Sequence, residues 1–464
     1  IVSNGMMCSA AELELANDAE GIIEVNADLA EKVGSRYIDA LGLDDPVIDV
    51  SLTPNRPDCT GVRGIARDLA AAGLGTLKPP RKLGNVEGAT PCPIDIQLEF
   101  SADNANACPV FAGRYVKGVK NGPSPAWMQQ RLKAIGLRPI NALVDVTNYI
   151  SYDLGRPLHV YDADKLHGAV RARLGKSGES FLGLDGKTYQ TDETMCVIAD
   201  ESGPLGLGGI MGGEQSGSTE ATTNVLIESA WFDPVRTTMT GRKTGLLTDA
   251  RYRFERGVDP QSVMPGLDLA TELIMEMCGG TPSKAKVAGK APDPQHKIAF
   301  GLSRVKELSG LDVPETEMER ILKALGFTLT AKGGAGKLEI VVPSWRPDVN
   351  GPADLVEEIV RISGIDNVPS TPLPRSAGVA RPVLTELQRR SRRARRTLAA
   401  RGLVEAVTYS FITKREAELF GGGQQELELS NPISVEMSSM RPWLLPGLLG
   451  AARRSVNRGI SDVA

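Results

Sequence analysis

Apolar positions in the second half of the chain recur at helical spacing. Between Pro314 and Leu325, Met318, Ile321, Leu322 and Leu325 fall at i, i+3, i+4 and i+7, which predicts an amphipathic helix. Ser303 can cap a shorter helix over 304–308, and Leu338 to Val342 alternates as a strand does. Gly351 and Pro352 then mark a helix start, because a proline in the first turn gives up only an N–H that has no helical partner. In that helix Leu355, Ile359 and Ile362 point one way, while Asp354, Glu357 and Glu358 stand at i, i+3 and i+4 on another face. The pattern predicts a compact, mostly helical module over 298–368.

Upstream, short β-branched segments rich in glycine predict a long mixed α/β unit over 108–290, in which Leu226-Ile227-Glu228-Ser229 reads as a strand. Before it, 31–90 reads as a small α/β unit with a helix from about Gly61 to Ala72, closed by a Pro/Gly-rich linker around 78–93. Downstream, 369–382 reads as a second linker. Thr385 to Leu403 reads as a basic helix ending at Gly402, and Val404 to Ile412 as a strand. Residues 1–9 open without capping or targeting logic and 457–464 stop in mid-pattern, so the chain reads as beginning and ending inside domains.

Composition adds exclusions. With 464 residues, three or four domains fit. No apolar run approaches the roughly 18 residues of a membrane span and no signal peptide is visible, so the cytoplasm is the default location. Cys8, Cys59, Cys92, Cys108, Cys196 and Cys278 lack CxxC spacing, which argues against zinc or a disulfide framework. A net charge of −4 gives no global attraction to nucleic acid. RNA contact then needs local basic surface, and Arg389, Arg390, Arg392, Arg393, Arg395 and Arg396 are either a phosphate track or a solvated face.

Candidate chemistry clusters in three places. Asp348, Asp354, Glu357 and Glu358 offer four oxygen ligands without His or Cys, the set a hard cation such as Mg²⁺ takes; the same acids also complement the positive end of a helix dipole. Asp145 to Tyr149 with His159 forms a second cluster. Gly208-Gly209-Ile210-Met211-Gly212-Gly213 with Glu228 and Thr248 to Arg251 forms a third, where a Gly-rich loop admits close backbone approach by a ligand. Taken alone, His159 next to Pro157 reads more readily as a structural histidine than as a functional one, and Glu228 also reads as a solvent-facing strand residue. Gly-x-Gly-x-x-Gly and a following Lys-Ser or Lys-Thr are both absent, so a nucleotide-binding loop is not supported. Nor does any Ser-His-Asp or Cys-His arrangement appear.

The string Pro343-Ser344-Trp345-Arg346-Pro347-Asp348 running into Asp354-Leu355-Val356-Glu357-Glu358-Ile359 resembles the B5 region of the bacterial phenylalanyl-tRNA synthetase β subunit. Thr53 to Leu69, Arg138 to His159, Gly206 to Gly213 and Arg251 to Asp259 resemble further segments of that family, in the family's order. Asn431-Pro432-Ile433-Ser434 and Leu444 to Leu449 do so too, although Trp443 stands where threonine is common.

The resemblance implies an α+β multidomain chain. It would comprise the end of an OB-type tRNA-binding domain (1–30), a B1-type unit (31–90), a B3/B4 editing domain (108–290), a B5 domain (298–368) and the start of an inactive class II synthetase-like core (380–464). It implies a subunit that supports ATP-dependent attachment of phenylalanine to tRNA(Phe) by an α subunit in an α₂β₂ assembly and hydrolyses mischarged Tyr-tRNA(Phe). By resemblance the editing-pocket positions are Thr147, Asn148, His159, Gly209, Glu228 and Ala250. Asp348, Asp354, Glu357 and Glu358 would hold a Mg²⁺ shared with the α subunit. The alternatives are an RNA-binding scaffold with a silent pocket and a free-standing sugar or nucleotide enzyme, the latter without any phosphate-binding motif.

Overall fold

Alternation along the strand Asn224–Trp231 organises the larger unit. Val225 and Ile227 point to one side of their sheet with Val160, while Leu226 and Ala230 point to the other with Tyr161. The strand lies between two antiparallel neighbours, Val110–Lys117 and His159–Asp162, in a register that sets Glu228 beside Gly113 on one flank and His159 on the other. Thr281–Pro282 and Lys286–Gly289 continue the sheet beyond Val110–Lys117.

The Val225 side is covered by the helices Ala142–Leu154 and Val263–Cys278, whose Val146, Ile150, Leu267 and Ile274 complete one core. Asn141 starts the first of these helices by accepting from the Val144 N–H at 3.2 Å, and Gly155 in the left-handed region ends it. The Leu226 side meets a second sheet, ordered Ile96–Glu99, Val170–Leu174, Cys196–Asp200, Gly203–Leu207 and Met211–Gly212, parallel at its first pair and antiparallel after it. Ile96, Ala172, Ile198 and Leu205 from that sheet pack against Phe111, Leu226 and Ala230.

The structure is a computed structural model that describes residues 7–15, 19–25, 27–44, 46–331, 336–374, 378 and 382–464. It divides into the units Ile1–Ser370 and Thr371–Ala464. The module expected over 298–368 contains the helices Ser303–Ser309, Glu315–Ala324 and Pro352–Ser363. Its expected strand, Lys337–Val341, is the middle of three, flanked by Lys297–Gly301 and Thr328–Ala331. The helix Val62–Ala71 packs on this module: Ala71 joins its core, and Arg320 donates to the Ala71 carbonyl at 2.9 Å.

Three expectations change. Over 31–90 the described residues hold helices but no strand; Val47 and Ile48 are 60% and 80% exposed, and that apolar run pairs with no strand among the described residues. Over 404–412 only Phe411–Ile412 forms a strand, on Ser439–Met440, and Val404 and Val407 are exposed. The basic helix spans Glu386–Ala400, capped by a reciprocal Thr385–Gln388 pair; Leu384, Leu387, Leu398 and Leu403 suggest in sequence an amphipathic helix with one face docked, but no residue of Glu386–Ala400 is buried among the described residues. Of the tail expected over 1–30, residues 1–6, 16–18 and 26 lie outside the described set, and the rest holds turns and the 3₁₀ segment Ala27–Lys32.

Candidate functional site

Between the two sheets lies a cavity with about 480 Å³ of open space, part of it reached by solvent. Phe232 and Phe254, edge to face at 5.1 Å, form one wall. Leu158, Ile198, Leu207 and Met211 contribute further apolar surface, and Glu228 and His159 supply polar groups. Strand alternation delivers both, since cross-strand partners share a face.

The Gly-rich loop is built for close approach. Gly209 has φ +71°, and a Cβ there would stand 2.8 Å from Phe232 and 3.0 Å from Phe254. A Cβ on Gly212 would fall 2.6 Å from His159 Cε1. Thr248 ties this loop to the helix Asp249–Phe254: its hydroxyl donates to the Ile210 carbonyl at 2.7 Å and accepts from the Arg251 N–H at 3.1 Å. That helix brings Ala250 to the rim.

Burial sets the electrostatics. Glu228 is 7% exposed, and burial pushes its carboxyl up to about 7 against the pull of the Tyr161 hydrogen bond and the Arg156 charge. The Tyr161 hydroxyl donates to Glu228 Oε2. Arg156, fully buried behind the strand, donates to Ser229 Oγ at 3.1 Å and to the Ala230 carbonyl, and burial brings it down to about 10. His159 is lowered to about 4 by burial, and its Nε2 is enclosed without a hydrogen-bond partner among the described residues. A neutral imidazole nitrogen with no protein partner is a free site for a water or a ligand atom. The cavity thus presents an aromatic wall to an apolar group, a carboxylate to a hydroxyl on it and an imidazole nitrogen to a water.

Of the six expected pocket positions, the structure brings His159, Gly209, Glu228 and Ala250 to this cavity. Thr147 and Asn148 are not among its lining residues: Thr147 is buried in the helix Ala142–Leu154 with its hydroxyl on the Val144 carbonyl at 2.7 Å, and Asn148 is half-buried. Sequence reasoning missed Tyr161, Arg156, Phe232 and Phe254. For Tyr161 a signal existed, because it lies two residues after His159 in a strand and so shares its face.

The four acids at 348–358 are put to different uses. Arg346 binds Asp348 through two bonds of 2.8 Å and also reaches buried Glu358. Arg361 holds Glu358 at 2.7 and 2.6 Å and crosses to Asp68 at 2.7 Å. Asp354 caps its helix, accepting from the Asn350 and Gly351 N–H groups at 2.8 Å, and Glu357 is exposed. Among the described residues no three of these carboxylates bring oxygens within 4.8 Å of one another; the one such group is Asp58, Cys59 and Asp68, whose carboxylates are paired with Arg56, Arg67 and Arg361. An oxygen-only donor set suits a hard cation, but its members do not converge within this chain.

Family models match residues 107–279 as a B3/4 domain, 298–365 as a tRNA synthetase B5 domain and 369–464 as a phenylalanyl tRNA synthetase beta chain CLM domain. Among curated relatives, the phenylalanine–tRNA ligase beta subunits of Bradyrhizobium diazoefficiens and Rhodopseudomonas palustris are each 56% identical over 464 residues, all of this chain and 57% of their own length. That of Nitrobacter winogradskyi is 54% identical over all of this chain and 56% of its own. The chain thus spans a little over half the length of these relatives. An N-terminal fragment of the phenylalanyl-tRNA synthetase beta-subunit from Pyrococcus horikoshii covers 68% of this chain and 86% of its own at 17% identity, with a TM-score of 0.35, too loose a superposition to bear on the fold. Identity above one half across the whole of this chain, with three domain matches in order along it, makes the chain similar to the corresponding part of the phenylalanine–tRNA ligase beta subunits.

Proposed function

We propose that the chain serves as the β subunit of a phenylalanine–tRNA ligase, supporting an α subunit that attaches phenylalanine to tRNA(Phe) with ATP, and that its inter-sheet cavity hydrolyses Tyr-tRNA(Phe). The carrying observation is Glu228: a buried carboxylate facing an aromatic-walled cavity, with one oxygen accepting no hydrogen bond among the described residues. A synthetic pocket for phenylalanine rejects a side chain that only adds a hydroxyl by no more than about 10²-fold. A second cavity that binds the hydroxyl corrects the error, since phenylalanine would leave buried polar groups unpaired, a penalty that reaches about 10⁴-fold. The cavity has no serine or cysteine nucleophile among its lining residues, so a bound water is the attacking group. His159 Nε2 is the group available to orient that water or the ester. Glu228→Ala in the αβ assembly should abolish most Tyr-tRNA(Phe) hydrolysis and leave Phe-tRNA(Phe) synthesis intact; parallel loss of both would refute a separate editing cavity.

A scaffold reading, with the cavity silent, draws on one observation: the Thr147 hydroxyl is spent on the Val144 carbonyl. Measured Tyr-tRNA(Phe) deacylation decides between the two. Mg²⁺ belongs to the same proposal, held by Asp354 and Glu357 with the α subunit supplying further oxygens, because Asp348 and Glu358 are occupied by guanidinium groups. No described helix is long and apolar enough to cross a membrane, and the cytoplasm, an α₂β₂ assembly, tRNA(Phe) binding, an OB-type tail and a class II-like core at 380–464 complete the proposal.

A further inference from the structure

We infer that Tyr161 is the specificity-positioning residue of the cavity: its phenol fixes Oε2 of Glu228 so that Oε1 is presented to a para-hydroxyl on the aminoacyl ring. This rests on the editing function proposed above and names a residue that the sequence pattern did not assign.

Tyr161 and Glu228 lie on adjacent strands, in a register that pairs Tyr161 with Leu226 and His159 with Glu228. Alternation therefore turns Tyr161, His159, Leu226 and Glu228 to the same face. The Tyr161 ring is 3% exposed and stands edge-on to His159 at 4.4 Å, so the hydroxyl has little freedom. It gives Glu228 the only hydrogen bond its carboxylate receives among the described residues. A phenol on a carboxylate is a strong, charge-assisted bond that fixes the side chain's rotation and favours the ionised form. Ionisation matters here, because a carboxylate only accepts and so selects a ligand that donates, whereas a neutral carboxyl can pair either way. Phenylalanine offers no donor at that place.

The groups facing Glu228 are Tyr161 and His159 on the neighbouring strand, Arg156 behind the strand, Cys108 before the strand Val110–Lys117 and Cys196 on the opposite sheet. Asp200 acts on Tyr161, and Asp259 acts on Arg156. His159 and the two buried thiols are uncharged near neutrality. That leaves Tyr161 and Arg156 to favour the ionised carboxylate against burial.

The test uses the αβ assembly and steady-state hydrolysis of Tyr-tRNA(Phe) from pH 5.5 to 9. Tyr161→Phe should raise KM by roughly ten-fold or more, the loss expected for a hydrogen bond to a charged group. It should change kcat less and move the acid limb of kcat/KM to higher pH. Hydrolysis of Phe-tRNA(Phe) should not change. Replacing Tyr161 by 3-fluorotyrosine, which keeps the ring and strengthens the donor, should move the same limb to lower pH; this holds the test open if the Phe variant folds poorly. Tyr161→Phe combined with Glu228→Ala should be no worse than Glu228→Ala alone. If Glu228→Ala itself leaves hydrolysis intact, the editing assignment fails and this role with it. If Glu228→Ala abolishes hydrolysis while both Tyr161 variants keep the parent KM and pH profile, the Tyr161 role alone is overturned. Faster hydrolysis by Tyr161→Phe would equally overturn it, since the phenol would then be competing with the substrate for Glu228.

Discussion

Glu228 illustrates how little a residue type says before its surroundings are known. In sequence it was one carboxylate in an apolar strand, open to a solvent-facing reading; the structure buries it and raises its carboxyl to about 7, from an ordinary 4.5. Between those values the folded chain keeps a proton that the unfolded chain has shed, so this group's contribution to stability falls as pH rises from about 4.5 to 7. His159 works in the opposite sense: lowered from 6.5 to about 4, it costs stability as pH falls through that window. Glu228→Gln removes the first effect, and its thermal unfolding temperature relative to the parent should climb as pH goes from 4.5 to 7, by a free energy of no more than about 3 kcal/mol at about 1.4 kcal/mol per unit. A pH-independent difference would show that Glu228 ionises normally. Ala250, at the rim, tests the space itself. Ala250→Trp should block Tyr-tRNA(Phe) hydrolysis with little change in unfolding temperature, whereas global destabilisation would place Ala250 in packed core. Resemblance to a family led to the residues of known type, His159, Gly209, Glu228 and Ala250, but not to Tyr161: spacing alone puts it on the face of His159, while its pairing with Glu228 depends on a cross-strand register that no local pattern encodes.

Among the elements, helices with strong periodicity were legible almost to the residue. The expected 314–325 helix is Glu315–Ala324, and the one opened by Gly351 and Pro352 is Pro352–Ser363. Strands were less so, because a strand exists only with a partner: Thr328–Ala331 was invisible alone, and the apolar run from Val404 pairs only at its end. The acidic face was also misjudged by spacing. Glu357 and Glu358 are adjacent, yet one is exposed and the other sits between Arg346 and Arg361. Burial raises the Glu358 carboxyl, but hydrogen bonds from Arg361 and Arg346 outweigh it and bring it down to about 2. Its stabilising contribution is therefore complete above about 4.5 and lost as pH falls towards 2. Glu358→Gln removes one of the two carboxylates that hold buried Arg346, leaving only Asp348, and should cost about 3 kcal/mol at pH 7, a penalty that shrinks on acidification as the parent loses the same interaction. Chemical denaturation of parent and variant at pH 7 and pH 3 measures it, and an equal difference at both would mean that the charge contributes nothing.

For the molecule as a whole, the two ends of this ion network belong to segments far apart in sequence: Arg361 and Glu358 sit in the 298–368 module, while Asp68, paired with Arg56, sits in the helix Val62–Ala71. Three of the four acids that the sequence offered to a cation thus already have positive or N–H partners inside the chain, and among the described residues only Glu357 is without one. A magnesium ion at this place would draw its remaining oxygens from another subunit, which separates the cation reading from the helix-dipole reading by experiment. The unpartnered chain should show no gain in unfolding temperature from Mg²⁺ beyond that from a salt of equal ionic strength, since exposed acids at a helix start are merely screened. In the αβ assembly Mg²⁺ should stabilise specifically, and Glu357→Gln should remove that gain while leaving the metal-free unfolding temperature within a degree or so, its side chain being exposed. Specific stabilisation of the chain without its partner would mean that the acids converge unaided. Specific stabilisation of the assembly that survives Glu357→Gln would remove this residue from the ligand set and leave it as a solvated charge on the helix.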